Sequence, residues 1–183
     1  MQIERTPLEG VVVITPPRFG DARGFFSESW SRRAMREAGL DLDFVQDNHS
    51  LSHAKGTVRG LHYQAPPVAQ AKLVRCGRGR LLDVAVDARR GSPTYGRWHA
   101  EELSFENGRQ LLVPEGFLHG FATLEPDTEV VYKCSAPYSA EHDGAVRWDS
   151  LGIGWGVSDP VLSDKDVRAP AFAEWESPFA WEG

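Results

Sequence analysis

Glycine and proline divide this chain into short pieces. Eighteen glycines and twelve prolines are spread along its 183 residues, and this punctuation favours strands joined by turns. Eight runs between them have strand-like character: residues 10–15, 57–63, 71–76, 80–87, 100–105, 110–113, 119–124 and 129–134. So many short strands predict an all-β fold, a jelly roll or similar double-sheet barrel, in a single domain of residues 1–183.

Two parts of the chain depart from this strand pattern. Residues 29–38 predict a short N-terminal helix, because serines stand where a helix is capped and Gly39 follows as a stop. The C-terminal part predicts turns and short helices packed over the barrel. It is rich in tryptophan: Trp148, Trp155, Trp175 and Trp181.

Composition limits the classes of function. Hydrophobic residues make up 41% of the chain, and no apolar run approaches the ~20 residues that span a bilayer. The first residues contain no apolar stretch typical of a secretory signal, so a cytoplasmic location is expected. The net charge of -6 gives no support for nucleic-acid binding, and an anionic ligand would need a local basic cluster. The two cysteines lack metal-type spacing, and we expect reduced thiols inside strands.

Strand alternation places two polar side chains on otherwise apolar faces. Lys72 shares a face with Val74 and Cys76, where an unpaired ammonium is costly to bury unless it reaches water at the strand end. Tyr132 lies between Val130 and Cys134, as an ordinary core tyrosine also would. Either residue alone is therefore compatible with a structural role.

The stretch GTVRGLHYQ, residues 56–64, contains a histidine with three possible roles. His62 is a metal ligand, a general base or a polar residue within a strand. Arg59 points away from His62 in a regular strand, so both serve one site only if Gly60 bends or bulges the strand. A regular strand would remove Arg59 from the site and leave His62 in it.

The segment PEGFLH, residues 114–119, matches the PxGxxH core of the second motif of the cupins, a superfamily of double-stranded β-barrels. Many cupins bind a metal through an HxH pair and a glutamate in an earlier motif. The earlier strand here reads LHYQAPP, and His119 alone cannot complete a metal sphere. We therefore expect no metal. No GxGxxG or P-loop motif indicates a cofactor, and we expect none.

Seven motifs follow one another along nearly the whole chain: DARGFFSE, QDNHSLSHAKGTVRGLHYQ, AQAKLVRC, DVAVDARRGSPTYG, LLVPEGFLHGF, VVYKCSAPYSAEHDGAVRWDS and LSDKDVRAP. Together they resemble one cupin family, the dTDP-4-dehydrorhamnose 3,5-epimerases. The resemblance implies a cupin-type double-stranded β-helix and a cofactor-independent isomerase. Its reaction would invert C3 and C5 of dTDP-4-dehydro-6-deoxy-D-glucose to give dTDP-4-dehydro-L-rhamnose, in dTDP-L-rhamnose or related deoxysugar biosynthesis.

The resemblance also implies residue roles. His62 would be the general base, oriented by Asp166, and Tyr132 would be the acid on the opposite face of the sugar, with Lys72 beside the keto oxygen. Eight further residues would bind substrate: Arg23 and Arg59 at the diphosphate, Gln46, Asn48, Phe25 and Glu28 at the nucleotide, Tyr138 on the thymine, and His119 in the pocket. The family implies a homodimer in which the N-terminal arm contributes to the neighbouring site.

The reaction explains why these residue types belong together. Removing a proton next to a ketone requires stabilisation of the enolate, which a lysine supplies. Inversion then requires a proton donor on the face opposite the base, because one base returning its own proton restores the original configuration. Taken alone, Asp166 is also compatible with a turn, and Arg23 and Arg59 with surface charges.

Three other functions remain open at the level of sequence. They are a mono-epimerase acting at C3 or C5 only, a metal-dependent cupin isomerase or oxygenase, and a non-catalytic sugar-nucleotide-binding barrel. Two positions depart from the family pattern: Ala140 stands where a proline is usual, and residues 155–157 lack the usual Trp-Pro. Both lie outside the implied catalytic set.

Overall fold

Strands dominate the computed structural model, which describes all residues from Met1 to Gly183. The strands are β1 (Gln2–Arg5), β2 (Val12–Thr15), β3 (Phe19–Asp21), β4 (Gly24–Phe26), β5 (Gln46–Ser52), β6 (Val58–Gln64), β7 (Lys72–Arg78), β8 (Arg80–Asp87), β9 (Trp98–Ser104), β10 (Gln110–Val113), β11 (Phe117–Thr123), β12 (Thr128–Cys134) and β13 (Asp143–Ala145). The helices are α1 (Arg32–Glu37), α2 (Asp164–Arg168) and a 3-10 turn (Phe172–Glu174). None is long and apolar enough to span a membrane.

Two antiparallel sheets form the barrel. One has six strands in the order β1-β2-β10-β7-β12-β5, and the other has five in the order β13-β6-β11-β8-β9. A separate hairpin pairs β3 with β4. The predicted all-β, double-sheet architecture is therefore confirmed, as is the prediction of one short N-terminal helix and short C-terminal helices.

Strand alternation explains how the barrel is filled. On β8, Leu81 and Ala85 point between the sheets into a core shared with Val74 and Val130 of the other sheet. The alternate residues of β8, Val84 and Val86, point outward into a second cluster. Because β8 is buried on both faces, it reads as a nearly continuous apolar run, and its predicted bounds are correct.

The outer clusters are covered by the segments outside the barrel. Met35 of α1 packs with Leu73 and Leu112 on the outer face of the six-stranded sheet. The C-terminal part covers the five-stranded sheet, where Trp155 is buried in the cluster. Trp148 and Trp175 pack against the same cluster, as predicted, whereas Trp181 stays partly exposed and outside it.

Some predicted bounds are wrong. The helix begins at Arg32 instead of residue 29, because Ser31 is the residue whose side chain accepts a hydrogen bond from the Ala34 amide. Five strands were not predicted: β1, β3, β4, β5 and β13. Cys76 and Cys134 are free and buried in β7 and β12, as predicted.

Candidate active site

A distortion of β6 brings Arg59 and His62 to one cavity. His119 of β11 pairs with His62, and two residues later Phe121 pairs with Arg59, so β6 carries one extra residue at this point. Gly60 lies there with a φ of +138°, and its peptide bond to Leu61 is cis. An ideal Cβ at Gly60 would lie 2.6 Å from the Gly120 Cα, so only glycine fits. The distortion predicted at Gly60 is confirmed, and both side chains line the cavity.

His62 is held by a carboxylate from the C-terminal part of the chain. Its Nε2 lies 2.5 Å from Oδ1 of Asp166, a fully buried residue of α2. Burial opposes ionisation of Asp166, but hydrogen bonds from His62, Ser163 and the Gly60 backbone hold the pKa of this carboxyl below its usual range. The ionised carboxylate accepts a hydrogen bond from the Nε2–H group of His62, and Nδ1 is left as the basic nitrogen.

Lys72 begins β7 at the wall of the same cavity. Its side chain is partly buried, lines the cavity and forms no salt bridge. Desolvation by burial lowers the pKa of its ammonium below the usual range. A lysine so placed is a short-range electrostatic partner for an anionic oxygen.

Tyr132 enters the cavity from β12. It lies between Val130 and Cys134 on the inward face and packs against the central core. Burial raises the pKa of its phenol, although a hydrogen bond with Asn48 acts in the opposite direction. Tyr132 therefore stays protonated at neutral pH and is able to donate a proton.

A second imidazole–carboxylate pair lies behind the first. Nε2 of His119 is 2.8 Å from Oδ1 of Asp83, and both residues are buried. Burial lowers the pKa of His119, and nearby Lys72 and His62 lower it further. Asp83 acts in the opposite direction and raises it. Sequence reasoning missed Asp83, although its inward position between Leu81 and Ala85 on an apolar strand face was an available signal.

Two adjoining cavities, here called the central cleft, meet at three shared residues: His62, Lys72 and Tyr132. The larger has a volume of about 400 Å³ and is also lined by Arg59, His119, Asp166 and Ser163. The smaller has a volume of about 200 Å³ and is also lined by Gln46, Asn48, Tyr138 and Asp143. The central cleft thus contains nine of the twelve residues predicted from the sequence.

Hydrogen bonds organise the smaller cavity. The Tyr138 amide donates to the Gln46 side chain at 2.9 Å, and Gln46 donates to Asn48 at 3.0 Å. The Tyr138 ring remains exposed and is available for stacking. Sequence reasoning missed an ion pair at the rim, where Nζ of Lys165 lies 2.5 Å from Oδ2 of Asp143. Lys165 directly precedes Asp166, so the ion pair ties α2 to β13.

Three predicted residues lie outside the central cleft of their own chain. Arg23 and Phe25 belong to the β3–β4 hairpin, and Glu28 follows it. The Arg23 side chain is 90% exposed and bonds only Asp21. Phe25 packs against Arg18 and Phe105 on the outside. The hairpin therefore contributes nothing to the site within one chain.

The histidines of the central cleft are paired with carboxylates. His62 and His119 line the larger cavity, but each ring is bonded to a different aspartate. No group of three or more His, Cys, Asp or Glu side chains is arranged to hold a metal ion. The pairing suits proton transfer, since a carboxylate fixes the tautomer and orientation of each ring.

Comparison with known proteins gives consistent matches. Residues 5–174 match the family model described as dTDP-4-dehydrorhamnose 3,5-epimerase. The dTDP-4-dehydrorhamnose 3,5-epimerase of Sinorhizobium fredii is 53% identical over 177 residues, which are 95% of this chain and 91% of the relative.

Two crystal structures extend this similarity to the fold. The Bacillus anthracis dTDP-4-dehydrorhamnose 3,5-epimerase, with TDP and PPi bound, has a TM-score of 0.91 and 46% identity, covering 93% of this chain and 99% of that one. The Legionella pneumophila dTDP-6-deoxy-D-glucose-3,5-epimerase, in complex with dTDP-4-keto-L-rhamnose, has a TM-score of 0.94 and 39% identity, covering 100% and 99%. The barrel is therefore a cupin jelly roll.

Proposed function

The chain belongs to the dTDP-4-dehydrorhamnose 3,5-epimerase family, and we propose that the central cleft is its active site. The protein is an isomerase that epimerises dTDP-4-dehydro-6-deoxy-D-glucose at C3 and C5 to dTDP-4-dehydro-L-rhamnose. Both carbons flank the C4 ketone. The reaction therefore needs a base, a group that stabilises the enolate, and an acid on the opposite face of the sugar.

His62 is the proposed base. It takes the proton from C3 or C5 on Nδ1, while its Nε2 proton remains on the hydrogen bond to Asp166. The buried, ionised Asp166 then stabilises the imidazolium that forms. The electron pair of the C–H bond moves into the enolate, so negative charge develops on the keto oxygen.

Lys72 is the proposed partner of that oxygen. Its ammonium lies at the junction of the two cavities together with His62 and Tyr132. Because burial removes water from this position, the attraction between ammonium and enolate is stronger than at the protein surface. His119, neutral in its pair with Asp83, lines the same cavity as a further hydrogen-bonding group.

Tyr132 is the proposed acid, and its placement is the observation that carries the assignment. His62 extends from β6 of the five-stranded sheet, whereas Tyr132 extends from β12 of the six-stranded sheet. A sugar between them therefore meets the base from one sheet and the donor from the other. Tyr132 protonates the enolate carbon on the face opposite His62, and exchange with water restores both groups.

Binding of the nucleotide is assigned to both ends of the central cleft and to a neighbouring chain. Arg59, with its guanidinium oriented by Ser52 and the Leu51 carbonyl, suits the diphosphate. Gln46 and Asn48 line the smaller cavity beside the exposed Tyr138 ring, which suits thymine.

We further propose a homodimer in which the β3–β4 hairpin supplies Arg23, Phe25 and Glu28 to the partner's central cleft. The hairpin exposes Phe19 at 64% and Phe26 at 70% of their surfaces, which supports burial against a second copy.

The function is tested by incubating the purified protein with dTDP-4-keto-6-deoxyglucose in deuterated water. We expect deuterium at both C3 and C5 by NMR and accumulation of dTDP-4-dehydro-L-rhamnose. Deuterium at one carbon only would indicate a mono-epimerase, and no exchange at either carbon would overturn the assignment. Elemental analysis of the same sample tests the metal-free mechanism, which stoichiometric iron, zinc or manganese would contradict.

A further inference from the structure

Both oxygens of the Asp166 carboxylate accept a hydrogen bond from a side chain. Oδ1 accepts from Nε2 of His62 at 2.5 Å, and Oδ2 accepts from the Ser163 hydroxyl at 2.9 Å. Ser163 also lines the central cleft. Ser163 lies in the motif LSDKDVRAP, but the family resemblance implies no role for it.

We propose that Ser163 is a positioning residue for proton transfer, because its hydroxyl keeps Asp166 ionised and oriented toward His62. The proposal rests on the assignment of His62 as the base. A carboxylate with one free oxygen is able to rotate about its χ2 angle, whereas bonds to both oxygens fix its plane. The fixed plane in turn fixes the direction in which His62 presents Nδ1.

Ser163 has more than the usual role of a helix cap. Its Oγ accepts from the Asp166 amide at 3.2 Å, as an N-cap residue does, and donates to the carboxylate of that same residue. Ser31, the N-cap of α1, accepts from the Ala34 amide, and its hydroxyl donates to no carboxylate. The donated bond is therefore the property that separates a positioning role from a capping role.

The sign of the expected effect follows from the charge of the pair. Asp166 is ionised in both protonation states of His62, and the Ser163 hydroxyl competes with the imidazolium for the charge of that carboxylate. Without that hydroxyl the carboxylate is more basic, so the pair binds a proton at higher pH. Other titratable or charged groups surround the pair from each neighbouring element: Arg59 on β6, Lys72 on β7, Asp83 on β8, His119 on β11, Tyr132 on β12, Asp143 on β13 and Lys165 on α2. These groups are the same in every variant, so a difference in the His62 protonation midpoint between variants is due to the Ser163 hydroxyl.

The experiment compares S163A and S163G, which lack the hydroxyl, with S163T, which keeps it. Glycine is tolerated at an N-cap, so S163G separates loss of the hydrogen bond from loss of the cap. S31A is the matched control for removal of a serine cap away from the central cleft. The protonation midpoint and tautomer of His62 are measured by imidazole ¹H–¹⁵N NMR without substrate, and kcat/KM is measured against pH with substrate.

We expect the His62 midpoint to rise by about one pH unit in S163A and S163G, since one hydrogen bond to a charged group has about that effect. The acidic limb of kcat/KM should move with it, so that activity falls about tenfold below both midpoints and changes little above them. S163T and S31A should titrate like the wild type.

An unshifted or lowered midpoint in S163A and S163G would overturn the proposal, as would an equal shift in S163T. A uniform loss of activity at all pH values with an unchanged midpoint would show a structural role only. If the epimerase assignment itself is wrong, the wild-type protein will show no deuterium exchange, and this outcome is distinct from those of the Ser163 variants.

Discussion

The polar residues of the central cleft owe their properties to inward strand positions. Lys72 and Tyr132 occupy positions whose neighbours on the same face belong to the apolar core. Burial lowers the pKa of Lys72 and raises the pKa of Tyr132. Desolvation thus favours the neutral form of both side chains, so the lysine loses its proton more easily and the tyrosine less easily.

Asp87 belongs to one of the seven sequence motifs but does not line the central cleft. Its buried carboxylate accepts hydrogen bonds from Arg89, Ser92 and Thr94, which together fix the loop after β8. Burial would raise its pKa, but these bonds lower it to about 2. The part of the motif DVAVDARRGSPTYG from Asp87 onward therefore stabilises the loop after β8, whereas its first residue, Asp83, pairs with His119 of the central cleft.

This network predicts how stability depends on pH. Because the Asp87 pKa is about 2 in the folded protein and ~3.9 when unfolded, its contribution is complete above the unfolded pKa and is lost as pH falls toward 2. The full contribution is about 2 kcal/mol, of which about 1 kcal/mol is lost by pH 3. Urea unfolding of the wild type and D87N at pH 7 and pH 3 measures it. A stability difference between the two proteins that does not shrink at pH 3 would contradict this account.

At the residue scale, sequence reasoning reaches side chains with an unusual position but not their supporting partners. Lys72 and Tyr132 stand out by alternation alone. His62 gains its role from them and from the family resemblance. The partner of Asp83 lies 36 positions away, so only the fold shows that contact, although its place on an apolar strand face was a local signal. Ser163 stands three residues before Asp166, at the spacing of a helix cap, but this spacing does not show that its hydroxyl also donates to the carboxylate.

Among the secondary-structure elements, β6 departs most from regular geometry. Gly60 combines a φ of +138° with close approach to Gly120, and the resulting extra residue turns Arg59 toward the cavity. Alternation predicts opposite faces for Arg59 and His62. The glycine between them was the one local signal that this rule fails here.

We predict that G60A destabilises the protein by about 3 kcal/mol or more and reduces activity. The added Cβ would lie 2.6 Å from the Gly120 Cα and 3.0 Å from the His119 carbonyl oxygen, so β6 and β11 must separate. G91A is the matched control, since Gly91 has a φ of +88° and no atom within 4 Å of its Cβ position. That variant should lose about 1 kcal/mol. Equal losses in chemical denaturation of both would refute the packing argument.

The strand β5 was not predicted because its sequence lacks the pattern of a half-buried strand. Its inward residues Gln46, Asn48 and Ser50 face the central cleft, and Leu51 is the one apolar residue on its outward face. Hydrophobic alternation is therefore absent, although the strand pairs with β12 over its whole length. By contrast, the bounds of β8 and β10 are predicted correctly, because their apolar residues pack in the core.

For the whole molecule, the spacing of turns and strands predicts the double-sheet fold, but it predicts neither the order of the strands in each sheet nor the position of the β3–β4 hairpin. Counting strands predicts the barrel, whereas the order of strands in each sheet depends on pairings far apart in sequence, such as β5 with β12. The position of the β3–β4 hairpin outside its own central cleft is likewise visible only in three dimensions.

The proposed dimer is tested by mixing two inactive variants. R23A loses the residue proposed to act on the partner, and H62A loses the base of its own chain. In a mixed dimer one site contains both intact residues, so random exchange of subunits should restore about a quarter of the wild-type sites. Activity that stays at the level of the separate variants, although subunit exchange is verified, would contradict sharing of the hairpin.

The central claim is that His62 and Tyr132 act on opposite faces of the sugar. The most direct measurement is deuterium exchange in H62A and Y132F, followed by NMR at C3 and C5 and compared with product formation. We predict that H62A loses both exchange and product, whereas Y132F still exchanges deuterium but returns it on the original face with little inversion. Normal inversion in Y132F, or undiminished exchange in H62A, would contradict the claim.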